Sequence, residues 1–195
     1  LYNGIPVSRY NLCLYRAVFS AAFQEFQTYA LPVTDNILMG NNATNKDTVT
    51  DALLKIDLGE LTGQENRILG RELDTTGLVL SGGQQQKLAV ARLLTDAFEV
   101  ALLDEPSSAL DPISSANMLN TVLTAAGERT VIMISHDMSF SKRADKILFF
   151  EEGNLTESGS HDMLMKNNQN YAVFFNSQAE AFGIRSQEGE DNNEE

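Results

Sequence analysis

A chain of 195 residues with 43% hydrophobic content can fill one core, with room for a small appendage. Its net charge of −13 argues against a nucleic-acid partner, which calls for clustered Lys and Arg. No run approaches the ~20 apolar residues of a membrane-spanning helix, and the single cysteine, Cys13, permits no internal disulfide and suits a reducing compartment.

The chain opens on Leu1-Tyr2-Asn3-Gly4, which reads as the end of a strand entering a turn, with no signal-peptide pattern around it. It is therefore expected to be a fragment. A short helix over Asn11–Arg16 leads into an apolar strand over Val18–Phe23, which ends at Gln24. A loop over Glu25–Pro32 follows, and Thr34 is placed to cap a helix over Asp35–Met39. Asn41–Asn45 is a polar turn. Val49, Ala52, Leu53 and Ile56 recur at helical spacing within Asp47–Ile56, and Gly59–Gly77 is polar and irregular.

At Leu80-Ser81-Gly82-Gly83-Gln84 a serine and two glycines open a helix. Ser81 is a good N-cap, and the glycines leave backbone N–H groups bare for an anion. Taken alone, Ser-Gly-Gly is usually a plain turn. Val90, Leu93, Leu94 and Ala97 then mark one buried helical face.

Val100-Ala101-Leu102-Leu103 ends in Asp104-Glu105, the pattern of a strand buried on both faces that delivers carboxylates to a sheet edge. In isolation the two acids could be an exposed strand-end pair. Pro106–Leu110 is a tight connection, and Asp111 caps a helix with Pro112 in its first position. Its buried stripe is Leu119, Val122, Leu123 and Ala126, and Gly127 stops it.

Thr130–Ile134 is another short strand, leading to Ser135-His136-Asp137. Lys146–Phe150 and Leu155–Glu157 form a hairpin, and helices near His161–Met165 and Asn170–Phe182 follow, with His161 a surface residue at a helix start. Five acids in the last eight residues mark a solvated tail. Short apolar strands alternating with amphipathic helices predict an α/β fold with a mostly parallel sheet.

A helix start that faces an anion, beside a strand-end acid pair, points to phosphate and Mg²⁺. On these residues the sequence resembles the nucleotide-binding domain of ATP-binding cassette (ABC) transporters. Leu80–Gln84, followed by Lys87, Ala91 and Arg92, is similar to the signature motif, and Val100–Glu105 to the Walker B strand. The departures are mild: Lys87 where arginine is commoner, and Ser107 where threonine is.

The resemblance implies a P-loop NTPase-like sheet flanked by helices, with a helical signature subdomain over about 33–97. The ATPase domain would run over 1–182, and 183–195 would be a disordered acidic tail. It implies that Ser81, Gly82, Gly83 and Gln84 close over the γ-phosphate of an ATP held by a partner subunit. Asp104 would hold Mg²⁺ through water, and Glu105 would act as general base on the attacking water. Ser108–Asp111 corresponds to the D-loop at the dimer interface, though Asp111 is also a plausible simple helix cap.

His136 corresponds to the switch histidine on the γ-phosphate. Gln24 corresponds to the Q-loop glutamine, which reaches Mg²⁺ and the water; the alternative is a solvent-facing glutamine. No glycine here is followed by lysine, so the phosphate loop G-x-x-x-x-G-K-[ST] is absent. In the family that loop and an adenine-stacking aromatic precede the strand on which Leu1 sits.

Gly159-Ser160-His161-Asp162 and Tyr171-Ala172 through Gln178-Ala179 resemble the C-terminal helices of exporter-type domains. The implied partners are a second ABC ATPase domain and a transmembrane domain fused upstream, at the cytoplasmic face of a membrane. Two other readings are a non-catalytic regulatory half and a soluble ABC ATPase of DNA repair or translation.

Overall fold

A computed structural model describes residues 1–25, 27–40, 46–71 and 74–181. The expected polar turn at 41–45 and the acidic tail at 183–195 lie outside these residues. The chain divides into two compact units, 1–135 and 136–195.

In the first unit, Tyr2 and Ile5 form an antiparallel bridge around a turn in which Asn3 and Gly4 take positive φ. Helix α1 (Leu12–Arg16) is capped by the Asn11 side chain, and strand β1 (Phe19–Ala22) follows. Helices α2 (Val33–Leu38), α3 (Lys46–Lys55) and α4 (Gly82–Thr95) come next in the chain. Strand β2 (Val100–Asp104), helix α5 (Pro112–Ala126) and strand β3 (Thr130–Ile134) complete the unit.

The three strands form a parallel sheet in the order β1-β2-β3, so β2 is flanked on both sides. Ala22 pairs with Leu103, and Asp104 with Ile134. Three carboxyl ends therefore reach one edge together, the edge at which open α/β sheets carry their ligands.

Helix α4 is the hub of the unit, packing on α2, α3, α5 and β1. Its sequence explains this: Leu88, Ala89, Val90, Ala91 and Leu93 are all buried, so apolar residues lie around most of its circumference. The expected stripe is corrected at one point. The helix stops at Thr95, leaving Ala97 exposed, and Phe98 is the buried residue that follows.

Thr34 is not the cap of α2. That helix starts two residues earlier than expected, at Val33 after Pro32, and the Val33 and Thr34 N–H groups donate to the Arg67 and Glu65 carbonyls. A tertiary strap thus satisfies donors that a local side chain was expected to take.

The second unit contains a hairpin of β4 (Ile147–Glu151) and β5 (Asn154–Gly159), then α6 (His161–Asn167) and α7 (Asn170–Ala181). Tyr171 is its fully buried centre. His161 opens α6 as expected but is half-buried rather than a surface residue, with its Nδ1 2.7 Å from the Tyr171 hydroxyl. Burial, then the nearby Lys142 charge, holds the His161 pKa below its usual value. Its ring is a packing and hydrogen-bonding element of this core.

Candidate nucleotide-binding and hydrolysis site

Asp104 is the last residue of β2, and both it and Glu105 are half-buried. Glu105 has left the strand: its φ is +47°, in the left-handed region that non-glycine residues rarely adopt. Its N–H donates to the Ile134 carbonyl of β3 at 2.9 Å, so the sheet ladder continues one residue beyond the strand. Ala22 is paired with Leu103, so Gln24 and Glu105 each lie two residues past a paired position. Gln24 is exposed there. Two carboxylates and an amide at one edge make an all-oxygen donor set. That suits Mg²⁺, which takes one or two protein carboxylates and fills its other positions with phosphate and water.

The start of α4 is built as a capping box. Ser81 Oγ accepts from the Gln84 N–H at 3.2 Å, and the Gln84 side chain accepts from the Ser81 N–H at 2.8 Å. Gln84 Nε2 donates to Glu60 at 2.8 Å, and Lys87 pairs with Asp57 at 2.8 Å. Ser81 and Gly82 are exposed. A Cβ on Gly83 would lie 3.1 Å from the Ala109 carbonyl oxygen and 3.2 Å from Leu110 Cδ2, so glycine lets the connection after β2 approach closely. Ser108 is exposed in that connection.

Asp111 caps α5, accepting from the Ile113 and Ser114 N–H groups at 3.0 Å each. Hydrogen bonding from Ser114 above all holds its carboxyl below the usual carboxylate range.

Two positions of weight, Gln86 and Asn36, escaped the reading from sequence, and Arg92 was read only as part of the signature-like pattern. Gln86 is 2% exposed, and its amide donates to the Glu105 carbonyl (2.9 Å) and Ser108 Oγ (3.1 Å) while accepting from the Ala109 N–H (2.8 Å). Asn36, fully buried, binds the loop after Gln24: Oδ1 accepts from the Tyr29 N–H, and Nδ2 donates to the Tyr29, Leu31 and Pro32 carbonyls. Arg92 reaches the same region from α4, donating to the Asn36 and Gln27 carbonyls at 2.7 Å each, and its burial lowers its pKa. A signal did exist for Gln86, a polar side chain four and seven residues before the buried Val90 and Leu93.

Asn36→Ala should destabilise the first unit by about 3 kcal/mol, because backbone groups of a packed loop lose their partners. Urea unfolding measures this, and an unchanged midpoint would contradict the anchoring role.

His136 opens the second unit, two residues after Ile134 in sequence. Its carbonyl accepts from Gln178 Nε2 at 2.7 Å, and Gln178 Oε1 accepts from the Met138 N–H at 3.0 Å. Helix α7 thus holds the segment that carries the histidine.

The family model described as ABC transporter matches residues 1–108, more than half of the chain. The chain belongs to the ABC transporter family. Subtilin transport ATP-binding protein SpaT of Bacillus subtilis is 33% identical over 85% of the chain and 28% of its own length. An ABC multidrug transporter of Cryptococcus neoformans is 34% identical, over 87% of the chain and 12% of its own length. A bacterial Atm1-family ABC exporter solved with ATP bound superposes with a TM-score of 0.76 at 29% identity, covering 84% of this chain and 29% of that one.

The chain thus spans less than a third of the length of these relatives. It is an exporter-like ABC nucleotide-binding domain with the P-loop NTPase-like α/β fold, and neither a regulatory half nor a soluble ABC ATPase is favoured by these relatives. Among the described residues no helix of this ABC domain is long and apolar enough to cross a membrane.

Proposed function

We propose that this chain is the hydrolytic core of a transporter that uses ATP to move a substrate across a membrane. It would work as one of two paired ATPase domains, coupled to a transmembrane domain of the same longer protein and lying on the cytoplasmic side. The observation that carries the proposal is the shared sheet edge. Asp104, Glu105 and Gln24 reach it on adjacent parallel strands, and the start of α4 is tied by Gln86 and Gly83 to the same connection.

ATP would supply the phosphoryl group to be transferred, and Mg²⁺ would neutralise the charge of its phosphates. Asp104 is suited to hold the metal through water, and Gln24 to orient the attacking water from the neighbouring strand. Glu105 takes that water's proton, a task for a carboxylate within hydrogen-bond reach. The exposed Ser81 and Gly82, with the half-buried Gly83 and with Gln84 completing the capping box, offer a positive helix end to a phosphate held by the partner domain. Ser108 and Asp111 would face that interface, Asp111 while also capping α5. The role of His136 as a phosphate donor rests on the family resemblance alone.

The β- and γ-phosphates are held in this family by the G-x-x-x-x-G-K-[ST] loop, which the 195 residues do not contain. Calorimetric titration of Mg·ATP into the chain by itself should therefore show no micromolar affinity, and the chain by itself should not turn ATP over. The longer protein, reconstituted in liposomes, should bind Mg·ATP and hydrolyse it. Micromolar binding to the chain alone would reveal a phosphate site elsewhere, and a longer protein without Mg²⁺-dependent hydrolysis would overturn the proposal.

A further inference from the structure

The proposed base sits in a conformation that its own residue type disfavours. A left-handed φ at a non-glycine residue persists only where the surroundings over-determine it. Both peptide groups of Glu105 are indeed held. The N–H is bound by the Ile134 carbonyl of β3, and the carbonyl by Gln86 Nε2 of α4. The second hydrogen of that amide reaches Ser108 Oγ, and its oxygen takes the Ala109 N–H. One buried side chain, with donors and acceptor all engaged, thus fixes the turn that aims Glu105 and the connection that follows it.

Gln86 also lies on the second turn of the helix whose first residues form the exposed anion-facing start. We propose that Gln86 is a positioning residue for hydrolysis. It sets the backbone of Glu105 for proton abstraction and makes that setting depend on the position of α4, so that occupancy at the helix start is felt at the base of the same subunit. The inference rests on the proposed role of Glu105.

The test is a double-mutant cycle in the complete transporter. Gln86→Met keeps the side chain's length and apolar stem but removes all three hydrogen bonds. It should lower kcat at least about tenfold while leaving the KM for ATP within about threefold, because binding groups are untouched and only the base is misaimed. In a Glu105→Gln background the same change should cost nothing further in single-turnover hydrolysis, since the group through which it acts is already gone. A residue needed only for folding would lower activity equally in both backgrounds.

Gln86→Glu, isosteric and still able to accept from the Ala109 N–H, enters the same cycle should the Met variant fold poorly. It should regain activity as pH falls and its carboxyl becomes a donor to the Glu105 carbonyl. An unchanged kcat, or a loss that adds fully to that of Glu105→Gln, overturns the inference. If Glu105→Gln alone leaves hydrolysis intact, it is the assignment of the base that fails instead.

Discussion

Glu105→Gln in the complete transporter should slow ATP hydrolysis roughly 10²–10⁴-fold while ATP still binds. The substitution is isosteric, and the backbone bonds from Glu105 to Ile134 and Gln86 do not involve the carboxylate, so the turn after β2 keeps its shape. What is lost is basicity, because an amide oxygen cannot take the proton of the attacking water. Asp104, one residue earlier and still within β2, keeps its place at the sheet edge. The nucleotide-bound dimer should therefore accumulate, visible as an ATP-dependent shift in size-exclusion chromatography or as retained nucleotide after rapid desalting. Turnover within about twofold of wild type would remove Glu105 from the role of general base.

A comparable loss is expected from Ser81→Arg, for a different reason. Ser81 contributes the cap of α4 and stands exposed at its start. An arginine there removes the capping oxygen and fills the space where a partner's phosphate would approach. Hydrolysis in a homodimer should stop. The informative experiment joins two domains covalently and distributes two lesions. With Ser81→Arg on one subunit and Glu105→Gln on the other, trans action leaves one composite site whole, and activity survives. With both lesions on one subunit, trans action damages both sites, and activity is lost. If the helix start served its own subunit's nucleotide, the two results would be exchanged, and the proposed reading of Ser81–Gln84 would be wrong.

Local chemistry made much of this fold legible. Ser81 and Asp111 cap their helices as read, because an N-cap needs only its own neighbours within three residues, whereas Asn11, read as the first residue of its helix, is that helix's cap. The strand that ends at Asp104 was readable because a strand covered on both faces is continuously apolar, and the strand that ends at Ile134 carries a similar apolar run although one of its faces is exposed. Where the reading failed, a distant partner decided. Thr34 looked like a cap, but the α2 donors are met by carbonyls some thirty residues away, at Glu65 and Arg67. Ala97 fitted the apolar spacing of α4, but the helix ends two residues earlier.

The site divided along the same line. Residue types at motif spacing marked Asp104, Glu105 and the start of α4. Gln86 and Asn36 went unread, and the contacts of Arg92 were not foreseen, because their importance lies in which backbone groups they reach across the fold. Periodicity treats a buried amide as a blemish on an apolar face, whereas its hydrogen bonds make it a joint.

The strand order also bears on how the chain assembles. Val100 meets Thr130, 30 positions on, but its other neighbour, Phe19, is 81 positions back. Closing the longer loop costs about 1 kcal/mol more in chain entropy, and among the described residues three α-helices lie within it. Nucleation is therefore favoured on the β2–α5–β3 crossover, which carries both acids, with β1 recruited late onto a surface already formed by α4. During synthesis the segment that ends in Gln24 would precede its β2 partner by about 81 positions. The sheet edge proposed for hydrolysis is completed by its most sequence-distant strand, so the step that finishes this sheet is also the step that would finish the proposed site.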